Sequence, residues 1–226
     1  MTLTRVVGKD RTARMPAEEL AARRTAAART LVDVGTGDAR YAYVRASERP
    51  DWLVIGIDAL DAPMGEIAYR ASRKPARGGL DNLVLLRGAI DALPEELRGI
   101  ADEVTVLLPW GRLLEGIVLA DDDVLSGLAA LARPGARYEV VLNGEIWEES
   151  LPARFEHLPV PTPAYIAAAV APGCARAGIT LGPARYLTAE EAKSLPTTWA
   201  RKLGHGRAHP TFVRVDGTRS AANRDS

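Results

Sequence analysis

The stretch Thr30-Leu31-Val32-Asp33-Val34-Gly35-Thr36-Gly37-Asp38 passes from a short β-branched and leucine run directly into two glycines. A continuous apolar run of this length reads as a strand buried on both faces. Gly-x-Gly directly after a strand permits a tight turn and lets backbone N–H groups approach a ligand closely. Taken alone the two glycines fit a plain strand–helix turn equally well. Their setting sharpens the reading: Asp33 and Asp38 frame the loop, and the next apolar run, Trp52–Ile57, ends at Asp58. A carboxylate roughly 20 residues beyond such a loop is placed to hold ribose hydroxyls.

Outward from this loop the chain alternates. Asn82–Leu86, Glu103–Leu108 and Ala136–Leu142 are further strand-like runs, and Asp61–Ser72 and Asp121–Leu131 have helical spacing. Alternation over residues 30–142 predicts a doubly wound, mostly parallel α/β sheet. Around it, Leu3–Gly8 is expected as a strand or hairpin and Pro16–Ala28 as a helix. Pro152–Pro163 is expected as a connector, Ala164–Ala177 as a helix, and Ile179–Tyr186 and Thr211–Val215 as strands of a closing antiparallel hairpin. The expected organisation is one domain over residues 1–218: an N-terminal extension (1–28), a cofactor-binding core (29–143), and a target-recognition insert with closing strands (144–218). Residues 219–226 are expected to form a disordered tail.

Composition excludes several classes. At 47% hydrophobic and 26% charged, the 226 residues are those of an ordinary globular protein rather than a disordered or collagen-like one. The single cysteine, Cys174, cannot form an internal disulfide, which favours a reducing compartment. Apolar runs such as Ile166–Ala171 fall well short of the ~20 residues that span a bilayer, and no apolar signal segment follows Met1. The expectation is a soluble, cytoplasmic protein with no membrane association. The net charge of zero conceals an asymmetry. Residues 1–30, 69–87 and 201–226 are basic, whereas 88–160 hold 14 acids against 5 bases, so folding can assemble a positive surface suited to phosphates.

The loop chemistry selects a cofactor. A dinucleotide site needs a small residue where Arg40 stands, and Asp38 would repel a pyrophosphate. S-adenosylmethionine has an ammonium that suits Asp33 and Asp38, a ribose that suits Asp58, and an adenine that needs an apolar slot. Gly88-Ala89-Ile90-Asp91 can form that slot, with Asp91 toward the exocyclic amine. Leu107-Leu108-Pro109-Trp110-Gly111 ends the fourth run, so Trp110 is expected at the cleft, although a Trp covering the sheet edge is an equal alternative. A second Trp lies among bases in Thr197-Thr198-Trp199-Ala200-Arg201-Lys202-Leu203-Gly204. Two aromatic faces beside a methyl donor can sandwich a base flipped out of RNA.

The combination Val7-Gly8-Lys9, Asp33–Asp38, Lys74-Pro75-Ala76-Arg77-Gly78-Gly79, Leu108–Gly111 and Thr197–Trp199 resembles the aminoglycoside-resistance 16S rRNA (adenine(1408)-N(1))-methyltransferases of the kanamycin–apramycin type. The resemblance runs from about residue 5 to residue 217, and the two Trp motifs are its most specific pieces. It implies a class I (Rossmann-like) methyltransferase with a seven-stranded sheet, an antiparallel C-terminal hairpin and a short N-terminal extension. It further implies methylation of N1 of the decoding-site adenine by a monomer without a protein partner, with 16S rRNA in the small (30S) subunit as substrate and S-adenosylhomocysteine as product. Trp110 and Trp199 would clamp the adenine. Asp33, Gly35, Gly37, Asp38, Asp58, Ala89, Ile90, Asp91, Leu107, Thr197 and Thr198 would line the cofactor site. Lys9, Arg70, Arg73, Lys74, Arg77, Arg201, Lys202 and Arg207 would face rRNA. The family often has Arg where Lys202 stands, and Lys lacks the bidentate fork.

A ring nitrogen of adenine already carries a lone pair, so no catalytic acid or base is expected and positioning carries the chemistry. No metal is expected: His205 and His209 flank a loop without nearby carboxylates, and Asp121-Asp122-Asp123 suits a helix N-terminus. The competing readings are a small-molecule methyltransferase, a nicotinamide-dependent oxidoreductase and a binding protein that has lost turnover.

Overall fold

A computed structural model describes residues 2–147, 153–195 and 211–221. Its parallel centre is built from β3 (Arg29–Val34), β4 (Trp52–Asp58), β5 (Leu83–Arg87), β6 (Ala101–Leu107) and β7 (Ala132–Asn143). The last described strand, β10 (Phe212–Arg219), inserts antiparallel between β7 and β8 (Ile179–Leu181). The spatial order β5-β4-β3-β6-β7-β10-β8 is the expected seven-stranded arrangement. Three strands add to it. The hairpin of β1 (Thr2–Gly8) and β2 (Arg11–Pro16) extends the sheet beyond β5, through Thr4 opposite Arg87, and β9 (Arg185–Tyr186) pairs with β10. The N-terminal extension is thus part of the sheet, followed by α1 (Ala17–Ala26).

The central strands are predominantly apolar because both faces are covered. Val32, Ile55, Val84 and Leu86 enter one core with α4 (Gly111–Val118), α5 (Asp122–Leu131) and the helical segment 163–176. Leu31, Val54, Leu83 and Leu85 enter the other with α2 (Arg40–Glu48) and α3 (Gly65–Ala71). Alternate residues of one strand therefore serve opposite cores. Asp121 accepts the N–H of Val124 and caps α5, as the acidic start of that helix predicted. The helical segment 163–176 comprises α6 (Pro163–Tyr165), a π-helical stretch (Ile166–Val170) and α7 (Ala171–Arg176). Farther on, α8 (Ala189–Ser194) starts with a complete capping box from Thr188 and Glu191.

Strand order reverses between β3 and β6. To one side the chain runs to β4 and β5, to the other to β7, so the loops leaving β3 and β6 diverge and open a crevice at the strands' carboxyl ends. Among the described residues no helix is long and apolar enough to cross a membrane, and no group of His, Cys, Asp and Glu could hold a metal ion. Cys174 is buried, and burial pushes its thiol up to about 11, where it is an inert core residue.

Candidate cofactor cleft and RNA-facing surface

The loop after β3 is shaped by bonds to the end of β4. The N–H groups of Gly35 and Thr36 both donate to the carbonyl of Ile57, at 2.8 and 3.1 Å. That of Gly37 donates to Oδ2 of Asp58 at 2.9 Å. Gly35 and Gly37 have φ of 71° and 55°, the left-handed region that glycine enters without a Cβ penalty. At Gly35 a Cβ would also fall 2.6 Å from Cδ2 of Leu113, so a larger residue would have to displace that side chain as well as hold a left-handed backbone. Asp58 Oδ1 meanwhile accepts the N–H of Leu60 at 3.0 Å. Each carboxylate oxygen accepts more than one donor, so Asp58 can brace the loop and still hold hydroxyls.

The loop, Asp58 and the turn after β5 enclose a cleft of about 620 Å³. Every sequence-predicted cofactor residue within the described region lines it: Asp33, Gly35, Gly37, Asp38, Asp58, Ala89, Ile90, Asp91 and Leu107. Thr197 and Thr198 lie outside the described residues. Asp33 is only 2% exposed and forms the floor. Its carboxylate accepts Thr36 Oγ1 at 2.5 Å and Thr105 Oγ1 at 2.8 Å, so both oxygens already serve to fasten the loop to β6. Burial is the main cause that raises its pKa to about 7, with Asp58 and Asp38 adding to the rise and the two hydroxyls opposing it. Asp38, nearer the surface, pairs with Arg40 at 3.2 Å.

Trp110 enters the cleft from the end of β6. Leu108 before it has φ of 52°, a left-handed conformation that costs a side-chain-bearing residue roughly 1–2 kcal/mol. The bond from Leu108 N–H to the carbonyl of Val141, 2.8 Å, holds that turn and sends the next residues toward the cofactor loop rather than along the sheet edge. Trp110 is 47% exposed, lines the cleft, and stands edge-on to the fully buried Phe155. Phe155 and Arg154, whose guanidinium lies 5.9 Å from the Trp110 ring centroid, come from the proline-rich connector within the expected target-recognition insert, where the sequence singled out neither residue. Other cleft residues without a clear signal in the sequence pattern are Tyr41, Leu60 and Pro63. Arg112, which also lines the cleft, had a local signal, since it directly follows the Trp110-Gly111 pair.

Two of the three basic segments meet in space. A Cβ on Gly65 at the start of α3 would lie 2.9 Å from Cα of Lys9, so the hairpin turn sits directly on that helix. Lys9, Arg70, Arg73, Lys74 and Arg77 are all exposed there, together with Tyr69. The loop carrying them is fixed: Tyr43 Oη donates to the carbonyl of Gly78 at 2.8 Å, and the Arg70 guanidinium stacks 4.7 Å from the Tyr43 ring centroid. Trp199, Arg201, Lys202, Arg207, His205 and His209 lie outside the described residues.

An acid-lined cleft at a sheet switch point, an aromatic at its mouth and a basic face nearby agree with the likeness to known proteins. Residues 4–218 match the family model of the 16S rRNA (adenine(1408)-N(1))-methyltransferases. A 16S rRNA (adenine(1408)-N(1))-methyltransferase of Streptoalloteichus hindustanus is 40% identical over 215 residues, covering 95% of this chain and 98% of that one. The enzyme of the same description from Streptoalloteichus tenebrarius is 41% identical over 188 residues, 83% of this chain and 86% of its own. Among solved structures, a mutant 16S rRNA (adenine(1408)-N(1))-methyltransferase from Catenulisporales acidiphilia with cosubstrate SAM superposes with a TM-score of 0.89. It is 39% identical and covers 99% of this chain and 100% of that one. Fold, cleft and sequence together place the chain in the 16S rRNA (adenine(1408)-N(1))-methyltransferase family.

Proposed function

We propose that this protein transfers a methyl group from S-adenosylmethionine to N1 of adenine 1408 in the 16S rRNA decoding site, leaving S-adenosylhomocysteine and conferring aminoglycoside resistance. The observation that carries the reading is the cleft itself. It is lined by Asp33, Asp38, Asp58 and Asp91, opens beside Trp110 and has the volume of a nucleoside-sized ligand. A pyrophosphate cofactor does not suit those carboxylates, whereas a ligand with an ammonium and a ribose does.

When bound there, S-adenosylmethionine supplies a methyl carbon made electrophilic by its positive sulfur. Asp58 holds the ribose and keeps the Gly35–Gly37 loop in shape, and Ala89, Ile90 and Leu107 pack the purine, with Asp91 at its amine. Asp38, with Thr197 and Thr198, serves the amino-acid end, and Asp33 acts from beneath by holding the loop to β6. Trp110 stacks on the target adenine, with Trp199 as the opposing face. Because N1 has its own lone pair, the chain's task is to hold the base in line and exclude water rather than to remove a proton. Lys9, Arg70, Arg73, Lys74 and Arg77, with Arg201, Lys202 and Arg207, engage rRNA phosphates. The dispersed bases suit a folded RNA surface, which supports the assembled 30S subunit as substrate.

The test is incubation with radiolabelled S-adenosylmethionine and, separately, 30S subunits, free 16S rRNA and small metabolites. Label in the subunit with a primer-extension stop at adenine 1408 is the expected result. A stop elsewhere, or label only in small molecules, would overturn the reading.

A further inference from the structure

Arg112, the second residue of α4, joins two carboxylates that the fold brings from separate segments. Its Nε lies 3.3 Å from Oδ2 of Asp91, and its Nη2 lies 2.8 Å from Oδ1 of Asp121. Asp121 is a firm anchor, because the same Oδ1 accepts the N–H of Val124 at the start of α5. Asp91 has less support of its own: it sits in a single 3-10 turn, Ile90–Ala92. The guanidinium therefore sets the direction of the Asp91 carboxylate, engaging Oδ2 and leaving Oδ1 to a second donor. Arg112 and Asp91 both line the cleft, and Arg112 follows Trp110 by two positions, so one short segment serves both the aromatic and this ion pair.

We propose that Arg112 is a positioning residue that makes the cofactor site read an amine at the purine 6-position. The inference rests on the reading that the cleft holds S-adenosylmethionine. A carboxylate free to rotate on a one-turn element would swing into water when it met a 6-oxo group, and the site would tolerate either purine. A carboxylate tethered at Oδ2 withdraws less readily, so an oxo group would face it acceptor to acceptor at a cost in affinity. The role suits arginine, whose rigid fork reaches Asp91 and Asp121 at once, whereas a lysine ammonium is a single point charge.

The test is calorimetric binding of S-adenosylhomocysteine and its 6-oxo analogue, S-inosylhomocysteine, to the unmodified protein, Arg112→Ala and Arg112→Lys. The unmodified protein should prefer the amine by roughly tenfold or more, the cost of an unpaired polar group. Arg112→Ala should weaken S-adenosylhomocysteine by no more than about threefold, as expected of a half-exposed ion pair, and should tighten the analogue, because the freed carboxylate can turn away from its oxo group. The preference then shrinks from both sides, and Arg112→Lys should fall between. Equal loss for both ligands, with the preference intact, would reduce Arg112 to a structural role and overturn the proposal. Tighter S-adenosylhomocysteine binding by Arg112→Ala would make the side chain an obstruction and overturn it equally. Absence of binding by the unmodified protein would overturn the cofactor reading and this inference with it.

Discussion

The rings of Trp110 and Phe155 meet edge to face, centroids 4.8 Å apart and planes at 84°. Phe155 is fully buried and Trp110 is half-exposed, so a core residue fixes the angle at which a cleft residue is presented. Trp110→Ala should lower turnover on 30S subunits roughly tenfold or more, since base stacking contributes on the order of 1–3 kcal/mol. Trp110→Phe should keep part of the activity, because stacking needs a π-face rather than the indole N–H. Phe155→Leu should keep the fold while loosening the Trp110 ring, reducing turnover with cofactor affinity unchanged. Methylation by Trp110→Ala at the unmodified rate would return that residue to a structural role.

Asp58 links cofactor and loop through one side chain. Replacement by alanine strands the N–H groups of Gly37 and Leu60 and removes the proposed ribose acceptor. Calorimetry should show S-adenosylhomocysteine binding weakened roughly tenfold or more, as for the loss of a hydrogen bond to a charged group. A folded Asp58→Ala protein with undiminished affinity would place the ribose elsewhere.

The face shared by the hairpin turn and α3 should govern RNA binding. Lys9→Glu combined with Arg73→Glu should weaken 30S binding and leave calorimetric cofactor affinity intact. Affinity of the unmodified protein should fall with salt, and the double variant's log–log slope should be shallower by about 0.9 for each phosphate it no longer neutralises. Identical slopes for the two proteins would remove this face from the interface.

Asp33 gives a pH signature with a definite sign. Its pKa is raised to about 7 in the folded protein, chiefly by burial, so the native state retains a proton that the unfolded chain releases in the ordinary carboxylate range. Its contribution to stability is therefore fully present at low pH and is lost as pH rises through the interval up to about 7. Asp33→Asn cannot ionise. The difference in melting temperature, variant minus unmodified protein, should grow in the variant's favour from acidic to mildly alkaline pH. A difference independent of pH would mean that Asp33 titrates normally.

Asp102, nearly fully buried, accepts the N–H of Thr30 at 2.7 Å and pairs with Arg24 and Arg133. It thus ties α1 and the start of β7 to the beginning of the β3–β6 pair. Asp102→Ala leaves the Thr30 N–H unpaired in the interior, while both arginines can return to water. The expected loss is about 2 kcal/mol, within the range for an orphaned buried donor. In a chain of this size that lowers the melting temperature by about 4–8 °C.

Local pattern made the strands and the cofactor loop legible in advance. The largely apolar runs at Thr30–Val34, Trp52–Ile57 and Asn82–Leu86 required cover on both faces, and the cores on either side of the sheet supply it. The glycines before Asp38 announced a left-handed turn, and their positive φ values fulfil that local requirement. Boundaries shifted where strands gained pairing partners, as at the start of β7. The basic segments were legible as charge, because charge is a property of residue type.

What depended on distance along the chain was hidden until the sheet was assembled. Nothing near Asp33 announced that Thr105, on a strand reached only after three crossovers, would occupy one of its oxygens. Phe155 backs Trp110 only because the proline-rich segment folds under the β6 loop, and Lys9 joins the α3 bases only because the hairpin pairs with β5. Arg112 acquires its two carboxylates from the β5 turn and the α5 cap in the same way. The sequence by itself determined which segments are strands, where the chain can turn and which chemistry the β3 loop favours, because backbone sterics and hydrophobic period act over a few residues. Only the tertiary structure decided which side chains share each carboxylate and which surfaces adjoin, because those pairings arise when strand order and helix packing bring sequence-distant groups within hydrogen-bonding reach.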